Sequence, residues 1–123
     1  MRLWVPGRIE FLGKHTDYAG GRSLLCAIER GFCVVAVSRA DHGVRIRDAR
    51  SEETVEGALD ARAQGRVGHW GNYPLTVARR VGANFAAPLV GVDMAFASDL
   101  PIAAGISSSS AMVVATFLTL SAA

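Results

Sequence analysis

Gly105-Ile106-Ser107-Ser108-Ser109-Ser110-Ala111, preceded by Leu100-Pro101 and followed by the uncharged run Met112 to Leu120, is the stretch on which the fold turns. It reads as a glycine–serine turn feeding straight into a buried helix. Such a turn aims several backbone N–H groups and hydroxyls at one point in front of a helix N-terminus. Orphan donors and the positive end of the helix dipole together suit an anion, phosphate above all. A serine hydroxyl there can also complete the oxygen shell of a magnesium ion. The plainer reading is an ordinary helix start, since serine is a favoured N-cap.

Working outward, no charged residue occurs past Asp99, so Leu100 to Ala123 is long enough to be mistaken for a membrane span. Four consecutive serines in its first half, and the lack of a nearby basic flank, point to a buried helix of a soluble protein. No Gly or Asn cap and no terminal Lys or Arg closes this helix before Ala123. The expectation is a chain that stops inside the helix, the N-terminal piece of a longer protein, needing its missing C-terminal half to complete the fold.

Upstream, Val90, Val92, Met94 and Phe96 alternate with Gly91, Asp93, Ala95 and Ala97, the period of a strand with one buried face. Before it, Asn72 is a candidate N-cap, Pro74 fits a first turn, and Val77, Ala78 and Val81 share a helical face that Gly82 is expected to end. Ser51 to Asp60 is acidic and predicts a weak edge strand. Val44-Arg45-Ile46-Arg47 alternates as a half-buried strand, entered by a turn at Asp41-His42-Gly43. Ser23 to Ile28, Gly31 to Ser38 and Leu3-Trp4-Val5 read as short strands, the last ending at Pro6-Gly7 with Arg8 to Leu12 continuing extended.

Between Leu12 and Ser23 lies a loop, Gly13 to Gly21. With the strand before it, it packs Arg8, Glu10, Lys14, His15 and Asp17 into ten positions. Glycines allow tight turns, and donors and acceptors converge as a polyhydroxylated ligand would require. Gly7 and Gly13-Lys14 mimic a P-loop, but five residues separate the glycines where that motif has four. His15 also stands where it needs Ser or Thr. The P-loop reading is rejected.

Composition sets bounds. The chain has 123 residues, half hydrophobic and a fifth charged, which is one soluble globular domain at most. A net charge of +2 without a block of like charge argues against nucleic acid or an acidic membrane surface as partner. Its basic residues are twelve arginines and a single lysine, Lys14. Cys26 and Cys33 have no second pair for a zinc site. They read as reduced core residues of a cytoplasmic protein.

Together the two loops resemble the first and second motifs of the GHMP small-molecule kinases, in their galactokinase branch. Gly7-Arg8-Ile9-Glu10-Phe11-Leu12-Gly13-Lys14-His15-Thr16-Asp17-Tyr18 follows the pattern Gly-Arg-x-Asn-x-x-Gly-Glu-His-Thr-Asp-Tyr. Pro101-Ile102-Ala103-Ala104-Gly105-Ile106-Ser107-Ser108-Ser109-Ser110 follows Pro-x-x-x-Gly-Leu-Ser-Ser-Ser-Ala. Trp70-Gly71-Asn72-Tyr73 resembles the branch's Trp-x-Asn-Tyr, and Gly91-Val92-Asp93-Met94 its strand before the phosphate loop. The likeness runs through nearly the whole chain in order.

The resemblance implies an α+β fold, the N-terminal domain of the GHMP kinase architecture, with a mixed sheet and helices packed on one face. Residues 1–123 would form part of that domain, with a sugar-recognition motif at 7–21 and a phosphate loop at 101–111. The implied reaction is ATP- and magnesium-dependent phosphorylation of a sugar hydroxyl. Ala103, Ala104, Gly105, Ile106, Ser107, Ser108 and Ser109 would wrap the ATP phosphates, Ser109 would ligate magnesium, and Trp70 would flank the base. Arg8 would neutralise charge on the transferred phosphoryl group, and Glu10, Lys14, His15, Thr16 and Asp17 would hold the sugar. The family's catalytic Asp falls beyond the second motif, so this chain alone is expected to be inactive. Two positions depart from the pattern: Lys14 replaces Glu and Glu10 replaces Asn. Lys14 either pairs with Glu10 or faces an anionic substituent, as on a sugar acid. The alternatives are a GHMP kinase for another small alcohol and a non-catalytic sugar and ATP sensor.

Overall fold

The computed structural model describes residues 1–13, 15–60, 68–85, 88–101 and 105–123, without the side chain of Asp17. Five strands, β1 (Arg2–Leu12), β2 (Leu24–Ser38), β3 (Gly43–Asp48), β4 (Thr54–Ala58) and β5 (Val92–Ser98), form one sheet in the order β1-β2-β5-β3-β4. All pairings are antiparallel except β3 with β5, so the sheet is mixed. Helices α1 (Asn72–Asn84) and α2 (Ser108–Ser121) pack against each other and against the sheet. A short 3₁₀ turn spans Thr16–Ala19.

Alternation decides which face the helices cover. Val34 and Ala36 of β2, Val44 and Ile46 of β3, and Val92, Met94 and Phe96 of β5 are buried. They form one cluster with Val77, Ala78 and Val81 of α1 and Ala111, Met112, Ala115 and Leu120 of α2. Trp4, Val35 and Val37 remain about half exposed. On α2 two threonines enter this apolar layer. Thr116 and Thr119 are almost fully buried and donate their hydroxyls to the Met112 and Ala115 carbonyls, both at 2.8 Å, which satisfies them inside the helix.

Four local expectations are corrected. The N-terminal strand does not end at Pro6-Gly7. A register shift between Pro6 and Arg8 carries β1 through, and Pro6 is tolerated because β1 is an edge strand without need of that N–H. The two segments 23–28 and 31–38 are one strand, since Gly31 pairs with Pro6 so closely that a Cβ would collide with the Val5 carbonyl. Helix α1 begins one residue early, capped at Gly71, because Asn72 and Tyr73 already donate to His69 and Trp70. Gly82 lies within α1 instead of ending it. A Cβ there would sit 2.6 Å from the Leu59 carbonyl carbon and oxygen, so the glycine serves close approach to the segment after β4.

The cysteines are free, but both are exposed, not core. Cys33 lies opposite Trp4 on the sheet face away from the helices, and Cys26 opposite Ile9 where β2 pairs only with β1. The turn from β2 to β3 is fastened by Arg39. It grips both Asp41 oxygens at 2.6 and 2.8 Å and reaches Asp93 on β5 at 2.8 Å. Hydrogen bonds from Arg39 and then from the Gly43 N–H hold the Asp41 carboxyl well below the usual carboxylate range. The same pairing raises Arg39 above its ordinary value. No helix among the described residues is long and apolar enough to cross a membrane.

Candidate functional site: two loops meeting at the end of the sheet

Arg8 and Ile106 are far apart in sequence, yet the Arg8 N–H donates to the Ile106 carbonyl at 3.2 Å. Gly7 makes this approach possible. It is buried, and an added Cβ would lie 2.6 Å from Leu100 Cδ2 and 3.2 Å from the Ile106 oxygen. Ile106, just ahead of α2, and Leu100 therefore lie directly against β1.

The entry to that segment is tied down as well. Asp99 Oδ1 accepts from the Gly31 N–H at 2.8 Å, Ser98 Oγ from the Leu100 N–H at 3.2 Å, and the Ser98 carbonyl from Arg50 Nη1 at 2.9 Å. Sequence reasoning missed Asp99 and Arg50. Neither belongs to a motif, and their partners lie tens of residues away.

Ahead of α2 the backbone turns left-handed twice, at Gly105 (φ 70°) and Ser107 (φ 62°). Ser107 is the N-cap, but its side chain makes no capping hydrogen bond. Its carbonyl accepts from Ala111 at 2.9 Å, so the N–H groups of Ser108, Ser109 and Ser110 precede the first intrahelical donor. A non-glycine residue held at positive φ stores strain, and such residues cluster at ligand sites as well as in ordinary turns. Among the described residues nothing lies within 4 Å of where a Gly105 Cβ would be, so none of them closes this opening. Uncapped amides, the helix dipole and this opening fit a phosphate. Ser109 lies in the first turn of α2, and among the described residues no group of three His, Cys, Asp or Glu side chains could hold a metal. Ala103 and Ala104 lie outside the described residues.

At the other loop, Gly13 (φ 90°) is the hub. Its carbonyl accepts from Thr16 N–H at 3.0 Å, Thr16 Oγ1 at 2.8 Å and Ser23 Oγ at 3.1 Å. The Thr16 carbonyl in turn accepts from Gly21 at 2.8 Å. Thr16 thus closes the loop on itself. His15 (φ 66°) is exposed and stacks on Tyr18, centroids 5.7 Å apart. Glu10 is half-buried on β1 opposite Leu25. Lys14 and the side chain of Asp17 lie outside the described residues.

Trp70 stands just before α1, partly buried, its ring edge-on to Phe96 of β5 at 5.4 Å. Its indole N–H donates to Glu53 Oε2 at 2.7 Å. The other oxygen, Oε1, lies 2.7 Å from His69 Nε2, while His69 Nδ1 accepts from the Gly71 N–H at 3.0 Å. The Gly71 donor leaves Nδ1 as acceptor, so the ring proton sits on Nε2 and points at Glu53.

Comparison with known proteins agrees with this geometry. Residues 4–39 match the galactokinase galactose-binding signature, and residues 54–123 match the GHMP kinases N terminal domain. The chain belongs to the GHMP kinase family. Among its GHMP relatives, the galactokinase of Roseiflexus sp. (strain RS-1) is 37% identical over 117 residues, 94% of this chain and 29% of the relative. That of Haemophilus influenzae (strain PittGG) is 31% identical over 113 residues, 92% and 29% of the two chains. The structure of Lactococcus lactis galactokinase complexed with galactose superposes with a TM-score of 0.79 at 27% identity, covering 94% of this chain and 30% of that one. Methanococcus jannaschii mevalonate kinase shares the fold, with a TM-score of 0.77 at 17% identity. This GHMP chain spans about 29% of the length of the curated relatives it matches.

Proposed function

We propose that this chain supplies the sugar-binding and nucleotide-phosphate-binding parts of an ATP-dependent sugar kinase. Residues 7–21 would serve the sugar and residues 101–111 the nucleotide. The observation that carries the proposal is the hydrogen bond from Arg8 to Ile106, which joins the two parts at the end of the sheet. A kinase of this kind works mainly by positioning and by neutralising charge.

In this reading the amides of Ser108 to Ser110 and the turn at Gly105 receive the ATP phosphates. Arg8, exposed at the junction, faces the phosphoryl group in transit. Ser109 would hold magnesium, which when bound supplies further neutralisation of the phosphates. His15, Glu10, Lys14 and Asp17 hydrogen-bond the sugar, while Thr16 keeps their loop closed. The anomeric hydroxyl of galactose is the favoured acceptor, in keeping with the galactose held by the Lactococcus lactis relative. A second reading, an acidic sugar, is favoured by Lys14 standing where the galactokinase pattern has Glu. Free Cys26 and Cys33 suit a reducing, cytoplasmic setting.

Calorimetric titration of the chain with magnesium-ATP, galactose and galacturonate tests this. ATP binding weakened about tenfold or more by Ser109→Ala or Arg8→Ala is expected, a loss typical of charge-assisted contacts. Unchanged affinity in both variants would defeat the assignment, and tighter galacturonate than galactose binding would select the second reading.

A further inference from the structure

We infer that Glu53 is a positioning residue for nucleotide-base recognition, acting through Trp70. The inference rests on the kinase reading above, with Trp70 beside the base as the family resemblance implies, and adds how that ring is aimed.

Trp70 sits in a connecting segment, and among the described residues its ring contacts are with Phe96 and His69. Packing alone leaves a tryptophan free to slide or flip about its two side-chain torsions. Glu53 removes that freedom. One carboxylate oxygen takes the indole N–H at 2.7 Å and the other faces His69 Nε2 at 2.7 Å. His69 is itself locked by the Gly71 N–H, the N-cap residue of α1. The chain Glu53–His69–Gly71 thus ties the indole to the start of α1. The edge-on contact with Phe96 ties it to β5, two residues before Ser98 and the turn into the phosphate loop. A hydrogen bond to an ionised carboxylate is roughly twice as strong as a neutral one. Glu53 meets two such donors from adjacent residues, an arrangement that fixes ring orientation.

The consequence is a split between base and phosphate recognition. Loss of the carboxylate would misalign the ring and leave the amides of Ser108 to Ser110 untouched. The test measures affinity for magnesium-ATP and for inorganic tripolyphosphate in the wild type, Glu53→Gln, Trp70→Phe, Trp70→Ala and the double variant Glu53→Gln/Trp70→Phe. Circular dichroism reports the fold of each. Glu53→Gln keeps the size but turns one acceptor into a donor facing a donor. It is expected to weaken ATP about five- to tenfold, the scale of one ordinary hydrogen bond, with tripolyphosphate within twofold of wild type. In the Trp70→Phe background, where no indole N–H remains, the Glu53→Gln step is expected to shrink to less than twofold.

Equal losses for ATP and tripolyphosphate, or a Glu53→Gln effect undiminished by Trp70→Phe, would overturn the inference. So would Glu53→Gln leaving ATP unchanged while Trp70→Ala weakens it. Should Trp70→Ala itself leave ATP affinity unchanged, the placement of Trp70 beside the base falls, and the inference with it. If Glu53→Gln does not fold, Glu53→Asp, which draws the carboxylate back from both donors, replaces it in the same cycle. A selective loss of ATP over tripolyphosphate that shrinks in the Trp70→Phe background then supports the inference, and no such loss defeats it.

Discussion

Replacing Gly7 by alanine should separate the two loops. The new methyl would sit 2.6 Å from Leu100 Cδ2, 3.2 Å from Ile28 Cδ1 and 3.2 Å from the Ile106 oxygen. Overpacking of a buried site costs about 1–3 kcal/mol, and losing the adjacent Arg8–Ile106 bond adds about 1 kcal/mol. Alanine gives back roughly 0.5–1 kcal/mol through reduced backbone entropy of the unfolded chain. The balance is a loss of about 1–3 kcal/mol. For a chain of this size that lowers Tm by about 4–12 °C. Urea denaturation of Gly7→Ala alone and with Leu100→Val provides the assay. Valine removes the clashing methyl, so the penalty should shrink by about 1 kcal/mol in that background. A Gly7→Ala protein as stable as wild type, or a penalty identical with Leu100→Val, would refute the argument that close packing at Gly7 joins the loops.

Other perturbations read different parts of the molecule. Gly82→Ala gains about 1 kcal/mol of helix propensity, yet its methyl meets Leu59 backbone at 2.6 Å. A net loss in urea midpoint is therefore expected, and a stabilised variant would contradict the packing. Because folding depresses the Asp41 carboxyl, its contribution is whole above the unfolded value near pH 4 and fades as acid protonates the native form. Asp41→Asn should lower the urea midpoint at pH 7, with the gap from wild type narrowing only below about pH 4. A gap independent of pH down to 2.5 would count against the Arg39 pairing. Both thiols should react with Ellman's reagent in native buffer, since Cys26 and Cys33 are exposed, and protection of either would contradict their placement.

Much of the sheet was legible because alternation is a local signal. Val44 to Arg47 and Val92 to Phe96 turn every second side chain inward, and the burial follows that period. Glycine was harder to read, because one residue type answers several needs. Gly82 has the same letter whether it ends a helix or admits a neighbouring backbone, and only the position of Leu59 tells them apart. The cysteines misled for a related reason: an apolar strand predicts one buried face, not which face receives the helices. Both loops were visible as motifs, but their contact at Arg8 and Ile106 depends on pairing across the chain. Glu53 was invisible, since no spacing rule links a residue before β4 to the indole before α1.

Strand β2 outruns its neighbours. Phe32 to Val35 lie between two partners, but Leu24 to Ala27 pair with β1 alone, forming a ribbon that carries the loop from Gly13 to Gly21 at its tip. Amides of an unsupported ribbon open locally long before the body of a sheet does. The loop from Gly13 to Gly21 therefore rides on a two-stranded extension of the sheet, braced at its root where Arg8 meets Ile106. A ligand gripped there would announce itself as slowed hydrogen exchange along Leu24 to Ala27, with the rates of Phe32 to Ala36 hardly moved.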